Sequence, residues 1–96
     1  MEIYKERNMK NPELCEKIVN IIPKSISEVY TTSEKLEDNG IKSKFLNRQH
    51  IENQAYYYYL IENKYVLYLY FKNKELKYLS VYRERPAKQI ICEKDL

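Results

Sequence analysis

Apolar positions change period once along the chain. Up to Leu36 they recur at helical spacing, and from Tyr56 onward they alternate or run on as in strands. Leu14, Cys15, Ile18, Val19 and Ile22 make one apolar helix face. Asn11-Pro12-Glu13 ahead of them supplies an Asn cap, a proline at the first helical position and an acid near the positive end of the dipole. Pro23 ends or kinks this helix, which is expected over about 12–22. Ile26, Val29, Tyr30 and Leu36 share a second face and predict helix over about 25–39. That stretch is either one piece from Ser25 or a connector followed by a helix from Thr32, because residues 31–34 match a capping box. The single glycine, Gly40, stands where a helix end takes a left-handed residue, with Ile41 placed for the accompanying apolar contact.

The span 55–83 holds nine of the eleven tyrosines and contains no Pro or Gly. Its β-branched and aromatic residues fall into runs 56–61, 65–71 and 76–82, which suit a pleated, half-buried surface. Glu62-Asn63-Lys64 and Lys72-Asn73-Lys74-Glu75 separate them, and Asn tolerates the left-handed backbone of tight hairpins. An antiparallel meander follows. Alternation puts Tyr65, Leu67, Leu69 and Phe71 on one face of the middle strand and Val66, Tyr68 and Tyr70 on the other. The sheet then has an aliphatic face for the helices and a tyrosine face made of Tyr68, Tyr70, Tyr78 and Tyr82. Tyr57 and Tyr59 join it from the first strand, although four consecutive tyrosines fit either register.

The expected fold is a single α+β domain over 1–96: two N-terminal helices on one face of a three- to four-stranded antiparallel meander. The helical part covers about 11–40, a connector 41–53, the tyrosine-rich sheet 55–83 and a C-terminal tail 84–96. Ile3 and Tyr4 suggest a short first strand. Ile90 and Ile91 suggest a short edge strand in the tail, with 93–96 frayed. The connector 41–53 reads as a short helix or an irregular connection.

Net charge is +3, which does not by itself call for nucleic acid. The charge is unevenly placed. Residues 25–40 carry four acids against one base, and residues 41–51 carry Lys42, Lys44 and Arg48 with no acid. One glycine in 96 residues disfavours glycine-rich phosphate loops. No apolar run approaches the roughly 20 residues of a membrane span, and the charged N-terminus lacks a signal-peptide pattern, so a cytoplasmic protein is expected. Cys15 and Cys92 are expected to be reduced thiols in or near the core.

One histidine and two distant cysteines give no metal-ligand spacing, and no phosphate-loop or dinucleotide motif is present. His50 and the cysteines lack neighbours that would complete a nucleophile–base–orienter set. Neither cofactor nor catalytic residue is assigned, and the chain is expected not to be an enzyme.

Two family resemblances bear on function. The order of a short first strand, a helical pair and a meander ending in Tyr82-Arg83-Glu84-Arg85 resembles the RelE/ParE-like toxins, which act as ribosome-dependent ribonucleases or gyrase poisons. That resemblance implies roles for Tyr82, Arg83 and Arg85. Val66 stands where ribonuclease members commonly carry a basic residue, which argues against RNA cleavage. Residues 32–39, a turn at Gly40 and the basic segment 42–50 resemble the helix-turn-helix of a winged-helix DNA-binding regulator, with Lys42, Lys44, Arg48 and His50 toward the nucleic acid. In general character the chain is also similar to phage and mobile-element accessory proteins, including inhibitors of CRISPR systems. The leading expectation is a binding protein that occludes or regulates a larger protein or nucleoprotein. Its candidate surfaces are the tyrosine face and the basic group Lys42, Lys44, Arg48, His50, Arg83 and Arg85. Pairing of two copies through the sheet is a further option, and no membrane partner is expected.

Overall fold

A computed structural model describes residues 10–96, so the strand expected around Ile3 and Tyr4 lies outside the described residues. Helix α1 spans Pro12–Ile21, a 3-10 helix Ile26–Thr31, and helix α2 Thr32–Asp38. Five strands follow: β1 Ser43–Ile51, β2 Gln54–Ile61, β3 Tyr65–Lys72, β4 Glu75–Arg83 and β5 Gln89–Asp95. They form one antiparallel sheet in sequence order, so the fold is α+β with a five-stranded meander rather than a three- or four-stranded one.

Helix α1 ends where Ile22 turns extended (ψ 157), as the residue before Pro23 must, while its N–H still reaches the Ile18 carbonyl. The expected helix over 25–39 divides in two. Ser25 caps the 3-10 segment with its side chain, and the Thr31 hydroxyl bonds back to the Glu28 carbonyl at 2.8 Å. The β-branched residues Ile26, Val29, Thr31 and Thr32 add side-chain crowding against a regular helix. At Gly40 (φ 80) the Ile41 N–H bonds the Leu36 carbonyl and the Gly40 N–H bonds that of Glu37. This is the paired C-terminal closure expected from Gly40, with Ile41 buried.

The connector 41–53 is neither helix nor loop. Nine of its residues make β1, an edge strand paired only with β2 and exposed along almost its whole length. It lacks the alternating apolar pattern because its side chains do not enter the core. Backbone pairing and the turn through Glu52 (φ 55) hold it, with a bulge between Phe45 and Asn47. The C-terminal residues are likewise a full strand, and the Leu96 N–H still bonds Lys77. Asn63 (φ 59), Asn73 (φ 52) and their neighbours Glu62 and Lys74 take the left-handed backbone that the hairpins require.

Buried residues of the helical segment, Cys15, Ile18, Val19, Ile22, Val29 and Leu36, share one core with the inward positions of the sheet. Among these are Leu67, Leu69 and Phe71 of β3 and Leu79 and Val81 of β4. The Ser25–Glu75 bridge ties the start of the 3-10 helix to β4.

The cysteines are not free thiols. Cys15 of α1 and Cys92 of β5 form a disulfide with a Cα–Cα distance of 5.9 Å. The two were far apart in sequence, but Val81 pairing with Cys92 turns that side chain inward beneath α1. The Lys94–Glu16 ion pair, at 2.8 Å, spans the same junction. The cytoplasmic expectation thereby loses the support it drew from reduced thiols. Among the described residues no helix is long and apolar enough to cross a membrane.

Candidate binding face

The register of β2 decides which tyrosines share a surface. Ile61 pairs with Tyr65, Tyr59 with Leu67 and Tyr57 with Leu69. Tyr57 and Tyr59 therefore point into the core, at 5% and 3% exposure, and not onto the tyrosine face expected for them. Tyr56 and Tyr58 take their places there. The face thus carries Tyr56, Tyr58, Tyr68, Tyr70, Tyr78 and Tyr82, all half-buried.

Five of these rings, all but Tyr82, pack against one another. Tyr58 lies 5.2 Å from Tyr68 and Tyr56 5.3 Å from Tyr70, centroid to centroid, and Tyr78 meets Tyr68 edge-on at 6.0 Å. Tyr68 is the hub, because Tyr56 also stacks on it at 6.3 Å. Lys88 sits over the Tyr82 ring at 4.9 Å. The Tyr78 hydroxyl donates to a Glu93 carboxylate oxygen at 2.5 Å. Mutual contact fixes the rings and leaves ring edges and hydroxyls to the outside.

Burial, reinforced by the Tyr58, Tyr56, Tyr70 and Tyr82 phenols, pushes Tyr68 up to about 12. Tyr78 is raised by burial and then by its Glu93 partner, and Tyr82 by burial and the nearby Glu84. These phenols stay protonated at neutral pH and offer hydrogen bonds, not a nucleophile. Among the described residues no group of three His, Cys, Asp or Glu side chains is placed to hold a metal.

The basic candidates do not form one surface. Lys44 pairs with Leu60, which places it on the tyrosine side of β1, whereas Arg48 and His50 pair with the core-facing Tyr57 and Ala55 and lie on the other side. The Lys42 N–H is held by the Glu62 carboxylate at 2.7 Å. Arg83 lies over the Tyr65 ring, on the face opposite Tyr82 and three strand positions (roughly 14 Å) from β1. Arg85 is exposed in the β4–β5 connection. Tyr82 and Arg83 are thus divided by the sheet, and 43–51 supplies a strand where the winged-helix resemblance implies a recognition helix. No family model, curated protein or solved structure matches the chain.

Proposed function

We propose that this chain is a non-enzymatic binding protein that occludes or regulates a larger protein or nucleoprotein, with the six-tyrosine face as its contact surface. One observation carries the reading: six half-buried tyrosines stand side by side across β2, β3 and β4, five of them held by ring–ring contacts and Tyr82 covered by Lys88. Tyrosine is enriched at interfaces because it buries much area with few rotatable bonds and keeps a polar tip. Rings already fixed by their neighbours lose little further freedom on binding. The same ring–ring packing favours a protein surface over base stacking, which requires free ring faces beside a continuous track of cations.

The test is affinity capture from the source lysate with the wild-type chain and with Tyr68→Ala and Tyr70→Ala, each checked for retained fold by circular dichroism. A stoichiometric protein that survives nuclease treatment and is lost from both variants is the expected result. Capture by folded variants as efficient as by the wild type overturns the assignment of this face. Recovery of nucleic acid, or of partners lost after nuclease, replaces the protein surface by a nucleic-acid one.

A further inference from the structure

On the other side of the sheet, α2 meets only the start of β1, through Ser33–Ser43 and Glu37–Ser43 hydrogen bonds, and hollows lie beyond it along the inner side of that strand. One hollow, about 380 Å³, lies between the helical residues Val29, Tyr30 and Ser33 and the strand residues Phe45 and Arg48, over a floor of Tyr57 and Tyr59. A second hollow, about 530 Å³, continues past His50 toward Ala55 and Phe71. The His50 Nε2 and the Tyr57 hydroxyl, 2.9 Å apart, mark the boundary between them. The floor is rigid, because Tyr57 packs edge-on against Phe71 and Tyr59 against Phe45.

Two features of this hollow are out of keeping with an inert surface. Tyr30 is 83% exposed and Phe45 49%, so two aromatic side chains stand open on facing walls. Arg48, between them and the floor, has no carboxylate within ion-pair distance among the described residues. It belongs to a strand whose charged residues are all basic, Lys44 and Arg48.

We propose that this hollow docks an extended segment of a partner protein that presents an aromatic or long aliphatic side chain next to a carboxylate. The apolar side chain enters between Tyr30 and Phe45 onto the Tyr57–Tyr59 floor, and the Arg48 guanidinium forks onto the carboxylate. Charge decides the occupant. A second copy paired through this stretch of β1 would bring Arg48 up against another Arg48, like charges at close range. Nucleic acid calls for a run of cations on one side, and β1 divides its own, with Lys44 on the opposite face from Arg48. One free guanidinium beside an apolar slot matches a single carboxylate with an apolar neighbour. The inference is separate from the tyrosine-face reading, since the sheet lies between the two surfaces.

The probe is a displayed library of random short peptides selected on the full chain. Synthetic copies of the enriched peptides are titrated by fluorescence polarisation against wild type, Arg48→Ala, Arg48→Lys and Tyr30→Ala. Both substituted residues are exposed, and ¹⁵N–¹H spectra check that each variant stays folded. The expected result is enrichment of an acid within a residue or two of Phe, Tyr or Leu. Binding should weaken about tenfold or more in the alanine variants and less in Arg48→Lys, with shifts confined to 26–33 and 45–50. Absence of enrichment overturns the proposal, as do peptides without an acid, peptides bound equally by all variants, or shifts centred on Tyr68 and Tyr70. Binding of a labelled single-stranded oligonucleotide at these same residues also overturns it, in favour of nucleic acid.

Discussion

The Cys15–Cys92 disulfide closes a loop of 77 residues, most of the described chain. In the chain-entropy treatment such a loop restricts the unfolded ensemble by about 15 cal/mol/K, or about 4.5 kcal/mol at 25 °C. Measured disulfides typically deliver about 2–4 kcal/mol. Either figure is a large part of the roughly 5–15 kcal/mol that holds a domain folded. The perturbation is Cys15→Ala with Cys92→Ala, compared with the wild type in the presence and absence of reductant. The assay is urea unfolding followed by circular dichroism. With a slope of roughly 1–3 kcal/mol per molar urea, the midpoint should fall by between about 0.7 and 4.5 M in the variant and in the reduced wild type. The folded reduced chain should keep its sheet, because Leu67, Leu69, Phe71, Leu79 and Val81 are fully buried in a core that extends well beyond the bridge. Two thiols titratable after the non-reduced protein is unfolded in urea, together with an unchanged midpoint on reduction, would refute the reasoning. That outcome would return both cysteines to inert, buried thiols and restore the argument for a reducing compartment.

Gly40→Ala meets nothing within 4 Å, yet φ +80 strains any residue with a Cβ, so a loss of about 1–2 kcal/mol is expected in the same urea assay. Lys74→Gly should act the other way. Lys74 holds φ 72 in the β3–β4 turn after Asn73, and an Asn-Gly pair suits that backbone, for a gain of about 0.5–1 kcal/mol. Tyr68 ionises near 10 when unfolded and at about 12 when folded, so below pH 10 both states hold the proton and its contribution is fully present. As pH rises from 10 to 12 the unfolded state gives up the proton first and that stability is lost. Absorbance at 295 nm should show phenols still protonated above pH 11, Tyr68 and Tyr78 among them, and Tyr68→Phe should shrink that late step by one phenol.

The sheet, the Gly40 closure and the split into an aliphatic and a tyrosine face were legible because each rests on local chemistry. Asn63 and Asn73 set the hairpins, Gly40 the helix end, and period-two alternation the faces of β3 and β4. The placement of Tyr57 and Tyr59 failed on a point that turn geometry settles. A loop of Glu62, Asn63 and Lys64 makes Ile61 pair with Tyr65, and counting back two by two sets Tyr59 on Leu67 and Tyr57 on Leu69. The aliphatic ends of that set, Ala55 and Ile61, carried the same message. What escaped detection elsewhere depends on long-range geometry. β1 has no apolar period because it is an edge strand with little of its surface in the core, so hydrophobic patterning is silent about it. The disulfide depends on the β4–β5 register, which turns Cys92 inward only after a shift between Val81 and Tyr82. The two candidate surfaces inherit this difference. The tyrosine face is a consequence of alternation and could be read for four of its six members, whereas the hollow lies between a 3-10 segment and an edge strand that patterning could not foresee. Its open residues are Tyr30, expected on the apolar face of a helix over 25–39, and Arg48, in a connector expected as a short helix or an irregular connection. Each surface is testable without the other, and loss of one by substitution should leave the other intact, because the core strands between them are buried independently of either.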